Sequence, residues 1–152
     1  GEALASARRA CLQALHPVEL DGTPLQDLQY EIASDPRTDR PALLARIDVG
    51  TLAQGRHELR IAFKKLRYAL EFFAPLLPGK RLAAYQGSLA TIQDLLGTLN
   101  DQVTASRLIK EMHPKGDPDP LTRGWIAGRT QLLASALGDE LRGLLGCKQP
   151  WR

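Results

Sequence analysis

Basic side chains are concentrated in one short segment of the sequence. Residues 56–81 contain seven lysines and arginines but only two glutamates, so this segment carries a net charge of +5. The whole chain carries +3, and the remaining residues together therefore carry −2. A local excess of one sign of charge favours an anionic partner.

Within this segment, four cationic or protonatable side chains recur at the spacing of one helix face. At about 100° per residue they fall within roughly 80° of arc, and at about 1.5 Å per residue they form a ridge about 15 Å long. The ridge consists of His57, Arg60, Lys64 and Arg67. Lys65 falls beside the ridge, and Glu71 can pair with Arg67 from four positions further along the helix.

These residue types are suited to binding phosphate groups. Arginine presents a two-pronged donor to phosphate oxygens, lysine presents a point charge, and histidine can carry a proton. Aligned like charges repel one another, and an extended polyanion would offset that repulsion. A solvated face of an amphipathic helix explains the same pattern without a ligand. Ile61 and Phe72 favour the binding of a polyanion, because they add a second apolar edge beside the ridge, as expected where the ridge lines a groove. Phe72 also fits an isolated surface residue.

The elements that must position the ridge are predicted to be helices. Apolar periodicity and the placement of proline predict helices over 2–15, from about 52 to the proline at 75, over 80–112 and over 121–145. We therefore expect an all-α, antiparallel helical bundle with long helices, in which 1–152 forms a single domain. The third helix carries a heptad seam of apolar residues: Leu82, Tyr85, Leu89, Ile92, Leu96, Leu99 and Val103.

Two parts of the sequence give further structural expectations. Residues 17–50 have the weakest pattern, with turn signals at 17–24, a possible short helix at 25–33, a loop at 34–41 and a stretch at 42–49 that fits either helix or strand. Gly124 and Gly128 stand four residues apart, and Gly97 lies within the third helix. The small size of glycine predicts that neighbouring helices approach closely at these positions.

Composition narrows the class of protein. Apolar residues make up 43% of the 152 residues and aromatic residues only 5%, which excludes a disordered chain and disfavours a barrel or sandwich. No apolar run approaches the roughly 18 residues of a membrane span. The cysteines, Cys11 and Cys147, form no disulfide framework, which fits a cytoplasmic protein, although one bridge between them stays open. The chain starts at Gly1, and we expect further sequence upstream.

Two motifs resemble one known family. The sequence HELRIAFKKLRYALEFF (57–73), followed by LATIQDLLGTLNDQ (89–102), is similar to the CHAD family, the conserved histidine α-helical domain. The resemblance covers about 55–112, and GWIAGR (124–129) before a leucine-rich helix is compatible with the end of such a domain. It implies an all-helical fold of two similar bundles with a basic surface between them.

The resemblance also implies a function. Members bind inorganic polyphosphate without catalysis, and they accompany a triphosphate-tunnel domain or associate with polyphosphate granules. The polyphosphate contacts it implies are His57, Arg60, Lys64, Lys65 and Arg67, with Tyr68 matching the motif. A first basic motif of the H-D-x-R type is absent from the N-terminal half, so the chain either resembles the C-terminal half of a member or has a diverged first half. A second CHAD half or a triphosphate-tunnel domain is then an expected partner.

Other candidate residues carry less weight. Lys80 and Arg81 stand at a predicted helix start, where backbone N–H groups can add to anion binding. Asp94 and Asp101 lie nearly opposite the seam, which favours solvated or ion-paired carboxylates over a metal pair. The three histidines have no metal-ligand spacing, and we predict no metal and no cofactor.

Three functions remain open at this point. The first is non-catalytic polyphosphate binding. The second is binding of single-stranded nucleic acid or another polyanion, which needs aromatic platforms for stacking. The third is an accessory role beside a triphosphate- or polyphosphate-processing enzyme; the chain itself is not expected to be an enzyme, because no nucleophile motif or Gly-rich phosphate loop is present.

Overall fold

Four helices account for most of the described chain. The computed structural model describes residues 1–20, 23–25, 27, 56–112, 116 and 119–152. In chain order the elements are α1 (Glu2–Leu15), β1 (Glu19–Leu20), β2 (Thr23–Pro24), α2 (Arg56–Phe72), a 3₁₀ turn (Ala74–Leu76), α3 (Gly79–Met112) and α4 (Pro120–Gly146). The all-α prediction is confirmed, and the four predicted helices are found within a few residues of their expected limits.

Local sequence explains where the helices begin and end. The α1 helix ends at Leu15, two residues before Pro17, because proline has no N–H to continue the hydrogen bonds of the helix. Pro75 and Pro78 separate α2 from α3 in the same way. At the start of α4, Pro120 occupies the first turn, and the Asp119 carboxylate accepts hydrogen bonds from the backbone N–H of Thr122 (3.0 Å) and from its hydroxyl (2.7 Å).

The helices pack in sequence, with α1 against α2, α2 against α3 and α3 against α4. The α3 and α4 helices run antiparallel: the end of the chain returns to the start of α3, where the ring of Trp151 meets that of Tyr85 edge-on at 5.3 Å. Close to this contact, Ser88 Oγ and Cys147 Sγ lie 3.8 Å apart in a hydrogen bond. The arrangement makes α3 the central helix of the described structure.

The apolar seam of α3 forms the middle of the core. Six of its seven predicted residues are buried, from Leu82 to Leu99. The seventh, Val103, is 56% exposed, whereas its neighbour Gln102 is buried, so the covered side of α3 leaves the seam at this turn. Heptad spacing indicates which side of a helix is apolar, but the packing of neighbouring elements decides which side is covered.

Close helix approach at the glycines is not found in the described part of the chain. A Cβ atom built on Gly97, Gly124 or Gly128 would meet nothing within 4 Å. The prediction that these glycines admit a neighbouring helix is therefore wrong for the helices that the structure describes. On α4, the two glycines face open space.

A small antiparallel ladder, which the sequence analysis did not predict, follows α1. It pairs Glu19 with Pro24 and Leu20 with Thr23, within the stretch where turn signals were expected. The predicted loop at 34–41 and the ambiguous stretch at 42–49 lie outside the described residues, as does most of the possible helix at 25–33.

The two cysteines are both free. Cys11 is buried in the core between α1 and α2, and burial raises the pKa of its thiol to about 11 from the ordinary value of 9.0. A neutral, buried thiol is a poor nucleophile, so Cys11 acts as a small core residue. None of the described helices combines the length and apolar character that crossing a bilayer requires.

Candidate anion-binding groove

The α2 helix has two chemically distinct faces. Its buried face is apolar and packs in the core, and it is made of Leu59, Ala62, Phe63, Leu66 and Leu70. Because these residues repeat every three or four positions, they fix which side of the helix turns outward. The cationic ridge occupies that outward side, and all four of its side chains are exposed.

The ridge borders a groove between α2 and α3, here called the cationic groove, with a volume of about 380 Å³. On the α2 side it is lined by His57, Arg60, Ile61, Lys64 and Arg67, and on the α3 side by Gln93 and Asp94. The groove therefore brings four cationic or protonatable groups together with one amide and one carboxylate. Ile61 supplies an apolar wall, as the second apolar edge of α2 predicts.

Arg67 is the anchored member of the ridge. One guanidinium nitrogen, Nη1, donates to Gln93 Oε1 at 3.3 Å, and Nε forms an ion pair with Glu71 Oε1, also at 3.3 Å. The guanidinium carbon lies 5.8 Å from the centre of the Tyr68 ring. These exposed contacts add little stability, since surface ion pairs contribute about 0–1 kcal/mol. Their effect is to hold the guanidinium beside the groove and to link α2 to α3.

The other three members of the ridge are not engaged in this way. Within the described residues, no ion pair or side-chain hydrogen bond involves His57, Arg60 or Lys64. Asp94 is exposed, and of the residues that the structure describes it is the one carboxylate that lines the groove. The positive groups therefore outnumber the negative one, and most of them are available to an incoming anion.

Of the eight predicted site residues, four lie in the groove lining and four lie outside it. His57, Arg60, Lys64 and Arg67 lie in the groove lining, as the ridge geometry predicts. Lys65 and Tyr68 are exposed on α2 but lie outside that lining. Lys80 and Arg81 lie at the start of α3, with Arg81 about 18 Å along the helix from Gln93. There, Arg81 Nη1 donates to the backbone carbonyl of Arg152 at 3.4 Å.

Two lining residues were not predicted as part of the site. Gln93 stands in the second motif of the family resemblance, which implies no ligand contact for it, and the position of Asp94 on its helix predicts a solvated or ion-paired carboxylate. No pattern within one helix indicates them, because their positions depend on how α2 and α3 cross. Arg67 bonds to Gln93 although Arg67 is close to the turn that joins the two helices and Gln93 is far from it.

Phe72 illustrates the alternative interpretation of the second apolar edge. It is 79% exposed and contacts the Phe73 ring edge-on at 4.9 Å, so it is a surface residue and takes no part in the groove lining. Among the residues that the structure describes, no three His, Cys, Asp or Glu side chains are grouped to hold a metal ion. The chemistry that the groove offers is positive charge, hydrogen-bond donors and one apolar wall, which together suit an anion.

Comparison with known families agrees with this geometry. A profile described as CHAD domain matches residues 2–110. The chain belongs to the CHAD family. The match confirms the resemblance carried by residues 55–112 and extends it to the N-terminal helix, so that it covers α1, α2, nearly all of α3 and the entire groove. Comparisons with curated proteins and with solved structures gave no match.

Proposed function

We propose that this CHAD protein binds inorganic polyphosphate in the cationic groove and does not transform it. The observation that carries the proposal is the convergence of His57, Arg60, Lys64 and Arg67 on one groove, in which the described residues supply a single carboxylate. A ridge about 15 Å long lets several phosphates of one linear anion bind at once. Each contact displaces counterions, and their release favours association.

The hydrogen bond between the two helices prepares a further donor. Gln93 Oε1 accepts from Arg67, which directs the Nε2 group of the same amide to other partners. An amide NH₂ in the groove lining can donate to a phosphate oxygen between the cationic side chains. Gln93 therefore favours an anion rich in oxygen acceptors and does not require any particular base or sugar.

Single-stranded nucleic acid is the principal competing ligand. It would exploit the same charges but gains much of its affinity from bases stacked on aromatic rings. The exposed aromatic residues of α2, Tyr68 and Phe72, lie outside the groove lining. Phosphate chains without bases therefore fit the groove better than RNA does.

A competition experiment tests the proposal. The chain is titrated with fluorescently labelled polyphosphate, and unlabelled polyphosphate, a short unstructured RNA and orthophosphate are then added at equal phosphate concentration. We expect polyphosphate to displace the label at roughly tenfold lower concentration than RNA, and orthophosphate to have almost no effect, because only a linear polyanion contacts several cations at once. Equal displacement by RNA would contradict selectivity for polyphosphate.

A second assay tests the absence of catalysis. Purified protein is incubated with polyphosphate and Mg²⁺, and released orthophosphate is measured over several hours. We expect release no faster than in buffer, since phosphoryl transfer depends on bound metal ions and positioned groups. Release that follows the amount of protein and is lost in a ridge variant would contradict a purely binding role.

The wider context of the protein follows from the same proposal. We treat 1–152 as one helical domain that supplies a polyphosphate-binding surface, either to a second CHAD half or to a triphosphate-tunnel domain. Retention at polyphosphate granules in the cytoplasm would need no contacts beyond those of the groove. Co-sedimentation with granules, tested with and without the ridge charges, measures this directly.

A further inference from the structure

The α4 helix is apolar on two opposite sides. One side is buried against the rest of the core and includes Leu137, Leu141 and Leu144. The other side faces outward in the first half of the helix, where Leu121, Trp125 and Leu132 are 82%, 63% and 74% exposed. We call this outward line, together with Gly128, the outer stripe of α4. Large exposed apolar residues aligned on one helix face are typical of an interaction surface.

The outer stripe has the spacing of a helix–helix seam. Its members, Leu121, Trp125, Gly128 and Leu132, are separated by four, three and four residues. This spacing keeps them on one side of the helix over a length of about 17 Å. Gly128 has no side chain and therefore leaves a notch in the stripe. The notch is open, since a Cβ atom built there would meet nothing within 4 Å.

The spacings of four, three and four residues are the same from either end of the stripe. If two copies of α4 run antiparallel about a two-fold axis between positions 126 and 127, Leu121 of each copy lies opposite Leu132 of the other. The indole of Trp125 then lies opposite Gly128, the one position where the absence of a side chain leaves room for it. A surface that complements itself in this way is what an isologous dimer requires.

We propose that the outer stripe of α4 binds the outer stripe of a second copy of this chain, antiparallel and about a two-fold axis. The charges permit this pairing. Arg129 lies over the Trp125 ring of its own chain at 5.7 Å. In the antiparallel register Arg129 lies opposite Gly124, so the pairing brings no two like charges face to face at the seam.

The size of the stripe sets the expected affinity. A single seam about 17 Å long lies at the low end of specific interfaces, which bury about 1,200 Å² or more in total. We therefore expect a reversible dimer with a dissociation constant in the micromolar range. The stripe shares no residue with the cationic groove, and this inference does not depend on the proposed function.

Sedimentation velocity over protein concentrations from about 1 μM to about 1 mM tests the proposal. We expect the unmodified chain to shift from monomer to dimer across this range. Trp125→Ser should weaken dimerisation roughly tenfold or more, as expected for the central aromatic residue of an interface. The matched control is Leu108→Gln, an exposed leucine on α3 outside the stripe, which should leave the dimer unchanged.

A second variant separates loss of contact from loss of folding. Gly128→Leu fills the notch that receives the indole, and leucine also favours the helix more than glycine does. We expect this variant to keep or increase its helical circular dichroism while its dimerisation weakens roughly tenfold. If Gly128→Leu dimerises as well as the unmodified chain, the proposed register is wrong.

Cross-linking tests the orientation of the two helices. In the antiparallel register, mild oxidation of a mixture of Leu121→Cys and Leu132→Cys should give a covalent dimer, and neither variant alone should do so. The unmodified chain, which retains Cys11 and Cys147, is the control. Covalent dimers from each single variant would indicate a parallel pairing and overturn the proposal. A chain that stays monomeric throughout, or that associates with a different protein and not with itself, would also overturn it.

Discussion

Two pairs of basic residues in this molecule share composition and spacing but differ in surroundings. Lys64 and Arg67 lie three residues apart on α2, and Arg107 and Lys110 lie three residues apart near the end of α3; all four side chains are exposed. The first pair belongs to a ridge of four groups that lines a groove with α3. The second pair is interleaved with the exposed Leu108 and followed at once by an acidic residue.

The difference shows what a count of basic residues omits. A polyanion gains affinity from the number of cations that it contacts at the same time, because each further contact is made within an existing complex. On α2, the buried face of the helix turns successive cations to one side and the neighbouring helix supplies a wall. On α3, Arg107 and Lys110 belong to no comparable row of cations along one face of the helix. Variants of these residues and of their neighbours therefore test whether the groove or the net charge determines binding.

Charge reversal of the groove pair should have the largest effect. In Lys64→Glu/Arg67→Glu two contacts are lost, and hydrogen bonds to charged groups contribute about 1.5–3 kcal/mol each. We therefore expect a loss of polyphosphate affinity of roughly 100-fold or more, measured by fluorescence anisotropy, with helical circular dichroism unchanged.

The matched control is Arg107→Glu/Lys110→Glu, which changes the net charge by the same amount on the same residue types. Its affinity should fall less than about threefold, since it alters only the long-range field of the protein. Similar losses in the two double variants would show that net charge, and not the groove, determines binding.

Salt should weaken binding steeply. With three to four cations in contact and a slope of about −0.7 per contact, as for single strands, the log–log dependence of affinity on salt should have a slope of about −2 to −3. Affinity then falls roughly 20- to 50-fold between 50 and 200 mM salt. Arg60→Gln should make the slope shallower by about 0.7, whereas Arg107→Gln should leave it unchanged.

Adjacent lysines on α2 provide a finer comparison. Lys64 lines the groove and Lys65 does not, although both are exposed. Lys64→Gln should lower polyphosphate affinity roughly tenfold through loss of one charged contact, and Lys65→Gln less than about twofold. Titration calorimetry of the two variants under identical salt measures the difference. An equal loss in both would indicate a diffuse basic surface in place of a defined groove.

The carboxylates of α3 give the smallest expected effect, and in the opposite direction. Asp94 lines the groove, and Asp101 is exposed on the same helix outside that lining. Asp94→Asn removes a charge that repels the ligand and should raise affinity about two- to threefold, in line with exposed charge interactions of up to about 1 kcal/mol. Asp101→Asn should have no measurable effect. Weaker binding by Asp94→Asn would show instead that the carboxylate takes part in holding the anion.

The sequence was sufficient to predict the ridge and the helix that carries it. The apolar residues of α2 repeat with helical spacing, and this repeat alone determines that His57, Arg60, Lys64 and Arg67 face outward together. The prolines at 17, 75 and 78 indicated where helices end, because the effect of proline on the backbone is local. Features that depend on one helix, or on its ends, can thus be read from the residues.

Features that depend on two elements could not be read in the same way. The positions of Gln93 and Asp94 in the groove result from the offset and crossing of α2 and α3, which no single heptad specifies. The exposure of Val103 beside the buried Gln102 depends on which side of α3 its neighbours cover. Likewise, the glycines of α4 predicted a close contact, but whether a helix occupies that space depends on the rest of the chain.

A titration followed by nuclear magnetic resonance shows whether the polyanion lies along α2 and against α3. A ¹⁵N-labelled sample that resolves the arginine side chains is titrated with short polyphosphate. This placement of the polyanion predicts that the largest shifts occur at Arg60, at Arg67 and at the Gln93 amide, with little change at Arg107. Shifts confined to Arg107, or to Arg8 and Arg9 of α1, with the groove unaffected, would contradict it.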